Sequence, residues 1–279
     1  MDLGIWILVF AAACAHPRIN LPTDAGIPFP DFKTIHMQLA AACTGVRTFT
    51  AEIALAGRAG RQKLRGRVIA GFARPSSMRL EGVAPFGPPA FILAARGEDA
   101  ILLLPREPRV LRGAKPEDIL GALTGVALGP ADLQAILTGC VVPAPQAVDA
   151  RQHANGWASI DLFGGATLYL APVRTSAAGG RALLGAPNAG SPNPGAPGWT
   201  LRAAKRAGWQ IEYPAWSGGF PQSVRLQSDQ PALTVDLTAT LSQIETNKDL
   251  EDAAFTVNVP PGAEPITLDE LRDSGPLGS

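Results

Sequence analysis

The stretch TFTAEIALAGRAGRQKLRGRVIAGFA, from Thr48 to Ala73, alternates apolar and polar residues on both sides of the quartet Gly57-Arg-Ala-Gly60. Alternation at period two marks half-buried strands, so this stretch predicts a hairpin turning on that quartet. SMRLEGVA, AFILAA, AILLLP and RVLRG follow, each of strand length, and Arg96-Gly-Glu-Asp99 supplies a tight turn between the second and third. They extend the hairpin into an antiparallel meander. Ahead of it, Phe32, Ile35, Met37, Leu39 and Ala42 in DFKTIHMQLAAAC predict a helix lying against the sheet.

The period changes at Lys115. KPEDILGALTGVALGPADLQAILTGC reads as two short helices: Pro116, Glu117 and Asp118 make a good first turn, Gly125 ends the first helix, Pro130 to Asp132 start the second and Gly139 stops it. Leu120, Leu123, Leu133, Ile136 and Leu137 give the pair one apolar face. Strands resume at WASIDLF and ATLYLAPV, are interrupted by a Gly/Pro/Asn-rich loop over residues 175–198, and return as TLRAAKRA, GWQIEYPAW, FPQSVRLQS and ALTVDLTATLSQIETN. The end of the chain offers one more short strand and a helical turn at Leu268 to Leu271. The fold class is therefore mainly β (α+β), with one domain over 31–260 and a C-terminal tail over 261–279.

At 279 residues, 46% of them hydrophobic, the chain can bury a sizeable core. Lys+Arg and Asp+Glu both number 24, so no long-range field attracts nucleic acid or an anionic membrane, and nucleic acid is not expected as a partner.

The N-terminus carries an address. Leu3 to Ala13, LGIWILVFAAA, is an apolar run of signal-peptide length that ends in three alanines before Cys14. It resembles a bacterial lipobox: residues 1–13 would be a lipoprotein signal peptide, Cys14 the lipidated residue, and 14–30 a tether. Asp2 stands where a basic residue is usual, and Ala11 where leucine is preferred. The other reading is an ordinary secretory signal with a chance cysteine. Export places Cys43 and Cys140 in an oxidising compartment, where a disulfide between them is expected. Its long loop would contribute about 4 to 5 kcal/mol in the chain-entropy account. Two buried free thiols are the alternative.

Candidate chemistry is sparse. GxSxG, P-loop and HExxH motifs do not occur, and His16, His36 and His153 are too scattered to suggest a metal, so neither cofactor nor catalysis is expected. The pairs Glu98/Asp99, Glu117/Asp118 and Asp269/Glu270 fall in turns or helix starts, where carboxylates cap or solvate. Arg58, Arg61, Arg65 and Arg67 crowd the first hairpin, as a wet sheet face or a lipid-phosphate contact. Trp209 and Tyr213 share a strand face by alternation and suit either a core or a cavity wall. The segment VAPFGPPAF puts Pro85, Phe86 and Gly87 at an irregular tip. Phe86 either folds back into a core or awaits an apolar partner.

Order and residues together resemble the LolB family of outer-membrane lipoprotein receptors. The resemblance covers about residues 46 to 245. An LTG motif ends the first helix at Leu123-Thr124-Gly125, an apolar helix runs from Leu133 to Gly139, and Trp209-Gln-Ile-Glu-Tyr213 matches a WxVxY strand. The resemblance implies an unclosed antiparallel β-barrel around a hydrophobic cavity, with the two helices as a lid. It also implies transfer of acyl chains from a periplasmic LolA-like carrier to the outer membrane, and a membrane-insertion loop that maps onto Pro85, Phe86 and Gly87. Ile53, Leu55, Leu64, Val68, Leu80, Phe91, Leu93, Leu102, Leu104 and Trp209 are the expected cavity lining. The partners would be an acylated lipoprotein or lipid, that carrier, and the membrane through the N-terminal lipid, on the periplasmic face of the outer membrane. The insertion and the ending have no counterpart in the receptor. A structural or docking lipoprotein of the envelope, with the Gly/Pro insertion as its binding arm, is the competing expectation.

Overall fold

The structure is a computed structural model and describes residues 18–60, 62–140, 145–173, 198–228 and 234–274. The signal segment 1–13, Cys14, Arg61, the expected insertion apart from Gly198, and residues 275–279 lie outside these. In chain order come β1 (Ile27–Pro28), α1 (Phe32–Thr44), β2 (Thr48–Ala59), β3 (Gln62–Ala73), β4 (Ser77–Val83), β5 (Ile92–Arg96), β6 (Asp99–Leu104) and β7 (Arg109–Arg112). Then follow α2 (Pro116–Thr124), α3 (Pro130–Thr138), β8 (Ala147–Gln152), β9 (Ala158–Leu162), β10 (Ala166–Pro172), β11 (Trp199–Arg206) and β12 (Trp209–Ser217). The chain closes with β13 (Phe220–Ser228), β14 (Val235–Thr246), a 3-10 turn (Asp252–Phe255), β15 (Glu264–Pro265) and α4 (Leu268–Ser274).

The strands form one sheet in the order β1-β8-β9-β10-β11-β12-β13-β14-β2-β3-β4-β5-β6-β7-β15, with β1 and β15 as its two edges, so it does not close. The fold is mainly β, an unclosed antiparallel barrel; among the described pairings only β15 with β7 is parallel. Two meanders are joined where β14 pairs with β2, setting Leu237 opposite Gly57 and Ala239 opposite Leu55. That seam is tight. A Cβ at Gly57, whose φ is +150°, would stand 2.1 Å from the Asp236 carbonyl oxygen, so glycine alone fits there. The expected turn over Gly57–Gly60 is accordingly narrower in the structure, because β2 continues through Ala59 in register with β14.

Alternation sends Phe49, Leu64, Phe72, Met78, Leu80, Leu93 and Leu102 inward into one core that also takes in Ile119 and Leu123 of α2. Both short helices begin with proline and end at a glycine, Gly125 and Gly139, with Glu117 and Asp118 in the first turn of α2. α1 packs beside β8, burying Ile35, Leu39 and Cys43. Cys43 is bonded to Cys140, which follows α3.

Residues 261–274, the described part of the expected C-terminal tail, pack on the domain. β15 adds to β7, and Leu271 of α4 is fully buried in the core, where α4 meets α2. α4 starts in a capping box. The Thr267 N–H donates to Glu270 Oε2 (2.7 Å), and the Glu270 N–H donates back to Thr267 Oγ1 (3.3 Å).

Candidate functional site

The inner face of the sheet carries Ile53 and Leu55 on β2, Val68 on β3, Leu80 on β4 and Phe91 just before β5. The other half brings Val224 and Leu226 on β13 with Leu237 and Ala239 on β14. α2 and α3 roof the space with Leu120, Leu123, Thr124, Leu133, Ile136 and Leu137, and their connection adds Val126 and Leu128. These walls enclose an apolar cavity. Its one polar liner, Thr124, donates its hydroxyl to the Leu120 carbonyl (2.8 Å) and accepts from the Val126 N–H (3.2 Å), so it directs no unmet hydrogen bond inward. A charged or strongly polar ligand would lose its hydration here without compensation, whereas a hydrocarbon chain would not.

The cavity measures about 120 Å³. Pockets that bury a drug-sized ligand run to roughly 300–1,000 Å³, so with α2 and α3 in this position only part of an acyl chain fits. A whole chain requires the roof to move.

Of the expected lining, the structure brings together Ile53, Leu55, Val68, Leu80 and Phe91 with all five lid residues, Leu120, Leu123, Leu133, Ile136 and Leu137. Leu64, Leu93, Leu102 and Leu104 are buried in the core and do not line the cavity, Leu93 and Leu102 at 0% exposure; α2 lies on β6, which carries Leu102 and Leu104. Trp209 packs against the core from the start of β12 and is not among the liners. Sequence reasoning missed the second wall. Val224, Leu226, Leu237 and Ala239 do alternate in FPQSVRLQS and ALTVDLTATL, but only the β14–β2 seam brings their strands beside β2, with Ala239 opposite Leu55.

The tip between β4 and β5 holds two phenylalanines with opposite fates. Phe91 is buried, its ring lying where a Cβ on Gly82 would come within 2.5 Å. Phe86 is 88% exposed. Hydrogen bonds from the Gly82 N–H to the Phe91 carbonyl (3.0 Å) and from the Ala90 N–H to the Gly82 carbonyl (2.9 Å) close the base of this loop. Arg106, in the turn after β6, donates to the Phe86 carbonyl (2.7 Å) and braces the tip, with Gly87 beside it in the left-handed region. The prolines therefore hold an aromatic ring in water on a fixed platform.

One polar cluster has the order of a hydrolase triad. His153 meets Asp24 Oδ1 through Nδ1 (2.5 Å) and Ser159 Oγ through Nε2 (2.9 Å). Ser159, however, is buried within β9, paired on both sides to Arg151 and Tyr169. The cluster is a clasp. Asp24 also accepts from the Ala154 N–H (3.0 Å), and together these bonds hold the segment before β1 on the sheet. The His153 hydrogen bond keeps the Asp24 carboxyl below its ordinary value. Further along the same segment, the Ile19 N–H reaches the buried Glu212 (3.4 Å) and Arg18 reaches Asp236 (3.6 Å).

No protein-family model and no curated protein matches the sequence. Among solved structures, the chain is similar to a DUF1329 family protein from Desulfovibrio piger (TM-score 0.47, 12% identity, 82% of this chain and 97% of that one). It is similar also to a LolA superfamily protein from Nitrosomonas europaea (TM-score 0.47, 11% identity, 80% and 96%). A third is a putative outer membrane lipoprotein-sorting protein domain from Vibrio parahaemolyticus (TM-score 0.45, 8% identity, 80% and 94%). At such identities the reading of the site rests on its own geometry.

Proposed function

We propose that this chain is a lipid-anchored lipoprotein of the bacterial cell envelope that takes acyl chains into the cavity beneath α2 and α3 and hands lipoprotein or lipid to the outer membrane. The observation that carries this reading is the cavity itself, a wholly apolar chamber between a curved sheet and a two-helix roof, with its one hydroxyl satisfied internally. Each methylene taken from water contributes about 0.8 kcal/mol, so partial insertion of one chain already binds. Cys14 is the residue proposed to carry the anchor. It precedes Arg18 by four residues, a reach of about 14 Å at full extension.

A receptor of the LolB kind, rather than a soluble carrier, is favoured by the Phe86 tip. An exposed aromatic ring on a braced loop suits the headgroup boundary, where an apolar body is stable. A periplasmic LolA-like carrier would supply the acylated cargo. Native mass spectrometry on residues 15–279, titrated with an acylated lipopeptide and its unacylated counterpart, tests the cavity. Binding that requires the acyl chain supports the proposal; binding of neither peptide moves the reading to a docking lipoprotein, which the small volume favours. Phe86→Glu should leave lipopeptide binding unchanged and impair its release into vesicles.

A further inference from the structure

The outer face of the β2–β3 hairpin crowds three cations together. Arg58 and Lys63 are directly opposite each other in register, and Arg65 lies two residues further along β3 on the same exposed face. Like charges set directly opposite destabilise a sheet. Three other cations of the sheet are matched, Arg67 with Glu52, Arg79 with Glu81 and Arg225 with Asp236. Among the described residues, Arg58, Lys63 and Arg65 make no ion pair. Asp236 stands opposite Arg58, but the Arg225 fork takes both its oxygens at 2.7 Å each, with Arg18 at 3.6 Å.

The position of this stripe narrows what it could meet. Arg67 pairs with Val83, the last residue of β4, so the loop bearing Phe86 leaves the sheet alongside Lys63 and Arg65. Val83, paired with Arg67, and Ile69, two residues beyond Arg67 on β3, are exposed apolar residues of the same outer face. An apolar ring in water beside unpaired cations matches the two layers of a membrane surface: the acyl boundary for the ring and the phosphates for the cations.

We propose that the outer face of the β2–β3 hairpin, through Arg58, Lys63 and Arg65, binds the phosphate headgroups of an anionic bilayer and thereby seats the Phe86 end of the sheet on the membrane. The inference goes beyond the acyl-cavity reading and does not depend on it.

The test uses the chain from residue 14 onward, which keeps every described residue, with Cys14→Ser so that no acyl anchor contributes. Its partition onto vesicles of phosphatidylcholine alone is compared with partition onto equal parts phosphatidylcholine and phosphatidylglycerol. Each cation near an anionic surface is worth about fivefold in partition. The triple variant Arg58→Gln, Lys63→Gln, Arg65→Gln should therefore lose on the order of a hundredfold on the anionic vesicles, less as salt is raised. Arg112→Gln, an exposed cation toward the opposite end of the sheet, should lose nothing. The proposal is overturned if the parent partitions equally onto both vesicles, if the triple variant with an unchanged melting temperature partitions like the parent, or if Arg112→Gln loses as much. Lipopeptide titration of the same triple variant keeps the two readings apart: failure of the cavity shows there, and failure of the surface shows only on the vesicles.

Discussion

Ala239 lies on β14 opposite Leu55 and lines the cavity, so Ala239→Leu tests whether the void is there to hold something else. At about 24 cal/mol per Å³, a void of 120 Å³ represents about 3 kcal/mol of stability forgone. Leucine adds three carbons, and at about 0.8 kcal/mol each the substitution should stabilise the protein by about 2 kcal/mol if all three enter the void without strain. The same carbons occupy the space proposed for the acyl chain. Thermal melting and lipopeptide titration, run on one preparation, should therefore move in opposite senses: a higher melting temperature and weakened binding. A variant that melts higher and binds as tightly as the parent would refute the assignment of the acyl site to this cavity. One that melts lower would refute the premise that the void can be filled from β14.

Leu271→Ala removes a fully buried side chain from α4 and should cost about 2–5 kcal/mol, with amide exchange in α2 rising more than in β2 or β3. Asp236→Asn has a defined pH signature. The hydrogen bond from Arg225 holds the Asp236 carboxyl below its ordinary value. A carboxylate depressed in this way stabilises the fold above its unfolded value and loses that contribution as pH falls through its folded one. The parent should thus exceed the variant by about 1 kcal/mol or less at neutral pH, after solvent screening, and the gap should close below about pH 4. Urea melts at several pH values check both size and sign, and a gap that widened in acid would refute the assignment.

The sheet was legible where burial alternates strictly. In β2, β3 and β4 every second residue reaches one core, and period two is then written into the sequence. β8 was not legible, because in AVDARQ only Ala150 is buried and the strand is held by backbone pairing to β9 and β1 rather than by an apolar face. The lid was readable from its punctuation, proline at each start and glycine at each end. The second cavity wall was not, since the β14–β2 register joins residues far apart in the chain and no local pattern encodes it. Phe86 shows the same limit at one residue. Prolines and glycine mark the tip, yet neither its exposed ring nor the bond it accepts at its carbonyl from Arg106 in another turn is written in the local pattern.

The two roof helices are restrained unequally, and this bears on how a chain could enter a cavity too small for it. α3 is tied by the bond from Cys140 to Cys43 of α1 at one end and by the ion pair from Asp132 to Arg206 (2.8 Å) at the other. α2 has no covalent restraint of this kind among the described residues; it is held by its own buried Ile119, Leu120 and Leu123 and by α4, whose Leu271 is buried, while β15 fixes the approach to α4. The covalent tie survives any thermal excursion, but burial of one leucine is worth only about 1.5–3 kcal/mol. Two to four methylenes entering the cavity, at about 0.8 kcal/mol each, offset that amount. Release of the α4–α2 contact is therefore within the reach of the binding energy of an acyl chain, if the proposed function holds, whereas α3 stays tied by its disulfide. Moving α2 itself would further expose Ile119, Leu120 and Leu123, so on that proposal loosening starts at Leu271 rather than at the roof as a whole.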